Sequence, residues 1–299
     1  MTGSRRSLLR GAAGLVTGGV LGSLPGTAAG VASGAAPSRE AKGETAVTAT
    51  IDPSVHGAVG VPPGVEQSMR ELRSRYPSID PTRFGALSAE VRLDGDRVVG
   101  GAAVADGVFD TAALRDELVT DGDELAADVG EITVSVPETP YVVGVTETSV
   151  AVGYRSTDRT AAARADAALR RGPSRPERIP AALAGDAVAY ATLGDGARSH
   201  LLDRADREYD GILRAAEAFG VALDVGGDRS GIEYGVAADP GSLSAEDLWE
   251  LASRAAEPES SIDVGSVSRR GRLFVLEATV GTDDLWPAHE RLFGSLSAV

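Results

Sequence analysis

The side chains able to do chemistry in this chain are few. There is no cysteine, and only three histidines are present, His56, His200 and His289. Cysteine nucleophiles and thiolate metal sites are therefore excluded, as are disulfides. His200 and Asp203 stand three positions apart, the spacing that puts two side chains on one helical face, so they are weak candidate metal ligands. His56 precedes a glycine in a turn-rich stretch and reads as a loop residue. His289 lies on a mostly apolar stripe between Trp286 and Leu292 and reads as half-buried packing. Arg170, Arg171, Arg175 and Arg178 gather within nine positions and are weak candidates for holding an anion. Arg170 and Arg171 also stand where cations complement a helix C-terminus.

Acidic side chains are more numerous. Asp94-Gly95-Asp96 and Asp121-Gly122-Asp123-Glu124 set carboxylates beside glycine turns, but neither matches the alternating spacing and distal glutamate of a twelve-residue calcium loop. The local motifs of common catalysts are absent: no Gly-x-Ser-x-Gly elbow, no His-Glu-x-x-His helix, no phosphate-cradling loop with lysine and no dinucleotide fingerprint in a strand-to-helix setting. No cofactor is expected. Two classes of function stay open, a binding or structural module and a hydrolase that uses paired Asp and Glu carboxylates. The lack of any local signature favours the module.

The N-terminus has a composition of its own. Residues Gly11 to Leu24 are apolar or small, with glycines at 11, 14, 18, 19 and 22 and no polar face. Such a stretch suits neither an amphipathic surface helix nor a well-packed core helix. Ser4-Arg5-Arg6-Ser7-Leu8-Leu9-Arg10 resembles the twin-arginine export motif, with the pair Arg5 and Arg6 followed by the apolar pair Leu8 and Leu9. The resemblance covers residues 1–36 and implies the twin-arginine translocation machinery as a partner during export, a machinery that moves chains already folded. The mature protein is then expected outside the cell or at its surface, with an unidentified partner or ligand, and at the membrane only if the signal stays uncut as an anchor.

Composition points the same way. The chain carries 44 acidic and 29 basic residues, a net charge of −15, and losing Arg5, Arg6 and Arg10 with the signal takes it to −18. Lys42 is its one lysine, and aromatic residues make up 4%. This composition looks like that of proteins from extremely salt-loving archaea, where molar salt shortens the Debye length to about 3 Å and screens the self-repulsion. An acidic surface also repels phosphates, so nucleic acid is not an expected partner.

The elements that must position these residues follow from periodicity and turn chemistry. After a disordered tether at 37–45 comes a first α+β unit at 46–172. Its strand pair meets at Asp94-Gly95-Asp96, Asp110 caps a helix through Leu114 and Leu118, strands follow at 131–136, 141–146 and 149–154, and Asp158 caps a second helix. A second unit at 221–299 repeats the order, with a turn at Gly226-Gly227-Asp228-Arg229, a helix capped by Ser244 that carries Leu248 and Leu251, strands at 261–267 and 272–280, and a helix around 286–293. Asp110 and Ser244 are 134 positions apart. Residues 173–220 are expected to link the units with one buried strand, 187–193, and an amphipathic helix from about 198 to 219. The expected fold is α+β: two ββαββα-like units with antiparallel sheets and helices on one face, read as an internal duplication.

Overall fold

The structure, a computed structural model, describes residues 44–60, 70, 73–74, 76–80, 83–94, 97–120, 124–126, 132–135, 141–155, 158–173, 176–204, 207–256 and 261–285. The expected export signal with Arg5, Arg6, Leu8 and Leu9, most of the expected tether, Arg175, and the expected last helix with His289 lie outside the described residues.

The strands are β1 (Thr45–Ile51), β2 (Leu87–Asp94), β3 (Arg97–Asp106), β4 (Glu124–Ala126), β5 (Ile132–Ser135), β6 (Tyr141–Val145), β7 (Ser149–Arg155), β8 (Ala187–Thr192), β9 (Ala216–Asp224), β10 (Arg229–Ala238), β11 (Ile262–Arg270) and β12 (Leu273–Gly281). The helices are α1 (Val55–Val59), α2 (Thr111–Thr120), α3 (Asp158–Arg171), α4 (Asp195–Arg204), α5 (Asp210–Ala215) and α6 (Ala245–Ala256). The fold is α+β. All twelve strands join one sheet in the order β11-β12-β10-β9-β8-β1-β2-β3-β7-β6-β5-β4, and every neighbouring pair is antiparallel.

Instead of the two expected sheets there is thus one. It is continuous because β1 pairs β2 on one side and β8 on the other, with Thr48 opposite both Glu90 and Tyr190. From β1 the chain runs β1-β2-β3, crosses through α2, and places β7 beside β3 with β6 outside it. From β8 it runs β8-β9-β10, crosses through α6, and places β12 beside β10 with β11 outside it. Residues 173–220, read as a linker, supply β8 and the start of β9. The helix expected to reach 219 stops early. α4, a 3-10 turn at Arg207–Tyr209 and α5 divide it, and Ala216 opens β9.

The expectation of helices on one face is also corrected. Strand register fixes two faces. One carries Thr48, Glu90, Ala102, Gly153, Tyr190, Gly220 and Gly235; the other carries Val47, Val91, Ala189, Val221, Ile232 and Ala278. On the first face α3 packs Ala161, Ala165 and Ala168 against Ala102, Val104, Val142 and Ala151. Glycine makes this approach attainable, since a Cβ at Gly153 would lie 2.1 Å from the carbonyl oxygen of Ala161. Across the same face Ile179 and Leu183 cover Val188, Tyr190 and Val275. On the other face α6 sets Leu248 on Val236 and Phe274, and Ala256 joins Ile232, Ala278 and Val280. Central strands such as β8, buried over Ala187–Ala191, are apolar or aromatic on both sides, and both sides need cover to remove that surface from water.

Local capping agrees with the sequence. Asp110 Oδ1 accepts the Ala113 amide at 2.9 Å, and Ser244 Oγ accepts the Asp247 amide at 3.0 Å while Asp247 Oδ2 accepts the Ser244 amide at 3.2 Å. The latter is a reciprocal capping box with aspartate in the glutamate position. Leu114, Leu248 and Leu251 are buried as expected; the side chain of Leu118 lies outside the described residues.

Candidate functional site

The most unusual chemistry in the described fold is charge buried under its cover. Ser88, Glu90 and Arg92 alternate along β2 with Leu87, Ala89 and Val91, a pattern that normally puts the polar set in water. Here that set faces the covered side. Glu90 is 8% exposed and Arg92 5%. Glu90 Oε1 stands 4.0 Å from Nη2 of Arg92 and 4.0 Å from Nη1 of Arg178. On the far side of Arg92, Nη1 is 3.7 Å from Oε2 of Glu44. Arg164, buried in α3, reaches over Gly100, where a Cβ would meet its Nη1 at 2.7 Å, and Gly100 pairs with Arg92 across β2 and β3. Thr48 closes the group by donating its hydroxyl to the Tyr190 carbonyl at 3.2 Å.

Four segments therefore meet on one buried patch: β2, α3, the entry to β1 at Glu44, and the loop that carries Arg178. Guanidinium and carboxylate groups removed from water are costly unless paired, and removing one partner of such a pair costs about 3–5 kcal/mol. The arrangement ties the covering loop to the middle of the sheet. It also lies beside a phenol held protonated, because burial and then the charge of Glu217 raise the pKa of Tyr190.

The arginines singled out from sequence do not converge. Arg170 is 71% exposed and pairs with Asp166 one turn earlier, and Arg171 is exposed at the end of α3. Of the four, Arg178 reaches the buried patch, in company with Arg92 and Arg164, which sequence reasoning did not single out. The missed signal was a charge alternation in a strand that lies five strands or more from either edge of the sheet. His200 is half-buried and Asp203 exposed on α4, and among the described residues no group of three histidine or acidic side chains could hold a metal ion. His56 lies in α1, with its side chain outside the described residues.

A second feature stands at the sheet's rim. β11 is its outermost strand on one side and carries a bulge between Val264 and Val267. Trp249 of α6, 47% exposed, donates its indole N–H to the carbonyl of Gly265 at 3.2 Å. Gly271, at φ 67°, turns β11 into β12, and Arg269, Arg270 and Arg272 surround that turn. Arg272 pairs with Glu217. Arg269 and Arg270 are exposed, and among the described residues their guanidinium groups make no hydrogen bond or ion pair.

No family model matches the chain, and no curated protein does. Among solved structures, crystal form III of TP0453 is similar at a TM-score of 0.48 and 11% identity, covering 85% of this chain and 94% of that one. Crystal form I of TP0453 gives a TM-score of 0.46 at 11% identity, covering 83% and 93%. Among the described residues, no helix is long and apolar enough to cross a membrane.

Proposed function

We propose that this chain is a salt-adapted protein exported by the twin-arginine route, and that it works outside the cytoplasm as a non-enzymatic binding or structural module. The export half of the reading rests on Arg5, Arg6, Leu8 and Leu9 and the apolar run behind them. The module half is carried by one observation: Glu90 stands 4.0 Å from both Arg92 and Arg178 under the cover and draws the covering loop to the sheet, while Arg269 and Arg270 stand exposed at the rim with no hydrogen bond or ion pair among the described residues. A catalytic centre would place reactive side chains in a recess, where burial tunes them.

The two halves of the sheet are read as copies of one ancestral unit. Their strand order supports this, since each half runs three neighbouring strands, crosses by a capped helix and returns a hairpin beside the third strand. The first half has β4 and β5 in addition.

The export assignment is tested with Arg5→Lys combined with Arg6→Lys in a salt-loving host. The variant precursor should accumulate inside the cell. Normal amounts recovered outside would overturn the route.

A further inference from the structure

We propose that the rim strand β11 is a docking line for an extended acidic peptide segment of another protein. The proposal rests on the binding-module reading and adds to it where the partner sits and what chemistry it has.

Three observations meet on this strand. Its outer side pairs with no described strand, so the main-chain donors and acceptors of alternate residues face outward, the arrangement that accepts an added strand. Register places Arg269 opposite Phe274, which packs with Leu248 of α6. Arg269 and Trp249 therefore share one face of the rim. Arg269 lies four positions beyond Gly265, to whose carbonyl Trp249 bonds, about 13 Å of strand at ~3.3 Å per residue. An exposed tryptophan and an exposed arginine are the side chains that most often anchor protein partners.

Charge selects the partner. Several exposed arginines here are paired locally, Arg170 with Asp166, Arg214 with Asp210, Arg229 with Asp263 and Arg272 with Glu217, whereas Arg83, Arg171 and Arg207 stand singly elsewhere among the described residues. In a chain with 44 acidic residues, Arg269 and its neighbour Arg270 nonetheless face no described carboxylate within bonding reach. They project to opposite faces of the strand, so they can bracket an added strand from both sides. In molar salt long-range attraction is screened, and recognition falls to contact-range guanidinium–carboxylate bonds, which arginine makes in bidentate form. The bulge at Val264 to Val267 breaks regular pairing in mid-strand, so the added strand is expected to lie along Val267–Arg270.

The test uses the full chain in molar KCl and a fluorescein-labelled peptide of alternating valine and glutamate, with a charge-reversed twin carrying lysine for glutamate. Fluorescence anisotropy should report binding of the acidic peptide and binding at least about tenfold weaker for the twin. Arg269→Glu with Arg270→Glu, both surface changes, should weaken the acidic peptide by about tenfold or more with the circular-dichroism spectrum unchanged, and Trp249→Ala should weaken it independently. Failure of the acidic peptide to bind, equal binding of both peptides, or indifference to the arginine pair would overturn the proposal. So would sedimentation showing that the chain dimerises and that the same arginine changes abolish the dimer, because the occupant would then be a second copy. The assay uses purified chain, so its failure leaves the export reading standing.

Discussion

Glu90 and Arg178, 88 positions apart in sequence, face each other at 4.0 Å, and through them the middle of the sheet holds the loop that covers it. The same carboxylate oxygen stands 4.0 Å from Arg92. Replacing Glu90 by alanine removes the negative charge and leaves buried guanidinium charge behind. The expected loss is about 3 kcal/mol, read from guanidinium-independent unfolding, for example by urea, in molar KCl. A loss below about 1 kcal/mol would mean that the pair is solvated and holds nothing.

Close approach of α3 to the sheet depends on the missing side chain at position 153. Gly153→Ala would drive a methyl into the Ala161 carbonyl, only 2.1 Å from the new Cβ, and backbone cannot step aside as a side chain can. Destabilisation of about 1–3 kcal/mol or more is expected. Gly211→Ala is the counterpart: it sits in α5 with nothing within 4 Å of a new Cβ, so stability should rise by about 0.5–1 kcal/mol. Equal effects from the two substitutions would refute the packing described for α3.

Core truncations should be felt in both halves of the sheet. Leu114 is 2% exposed and Leu248 7%, so each change to alanine should cost about 2–5 kcal/mol. If the single sheet unfolds as one unit, both variants should lower one shared transition in a urea titration. Two separated transitions, each moved by one variant alone, would show that the halves melt independently.

Alkaline pH should weaken the fold through Tyr234. Burial raises its pKa above the ordinary value of 10.0, so the folded state keeps a proton that the unfolded state gives up. The contribution of this group is intact below about pH 10 and declines as pH rises further. Unfolding free energies measured from pH 9 to 11 should fall, and Tyr234→Phe should flatten the fall. An unchanged slope in that variant would assign the decline to other groups.

Low salt should unfold the chain. With a net charge of −15 and a Debye length that grows from about 3 Å in molar salt to about 10 Å at 0.1 M, repulsion among surface carboxylates goes unscreened. A circular-dichroism titration is expected to show loss of structure on dilution of KCl. Full structure retained at 0.1 M would contradict the salt-adapted reading.

Sequence carried the elements further than their assembly. Asp110 and Ser244 mark helix starts because capping is local chemistry, and β6, β7, β8 and β12 follow apolar runs bounded by turns. The stretch Ala216–Phe219 was misread as helix because its apolar residues suit either period, and pairing with β8 and β10 decides the matter. Ser88, Glu90 and Arg92 illustrate the larger gap. Their alternation marks a strand with one polar side, but only the tertiary placement of α3 and of the Ile179–Leu183 segment puts that side under cover. The rim features could be seen only in part: Arg269-Arg270-Gly271 reads as a turn, whereas its place at the sheet's last strand depends on β12 returning beside β10.

The junction of β1 with β8 bears on when this chain can fold. Thr48 bonds to Tyr190 across 142 positions, so the central ladder cannot close until well over half of the polypeptide has left the ribosome. Contacts this distant in sequence make closure slow, because the entropy of a long loop must be lost before any pairing is gained. Until then β1 and β2 expose a bare apolar margin with nothing beside it. Under the export route proposed above, which carries only finished proteins, the sheet would have its time to close behind the membrane before the outside medium is met.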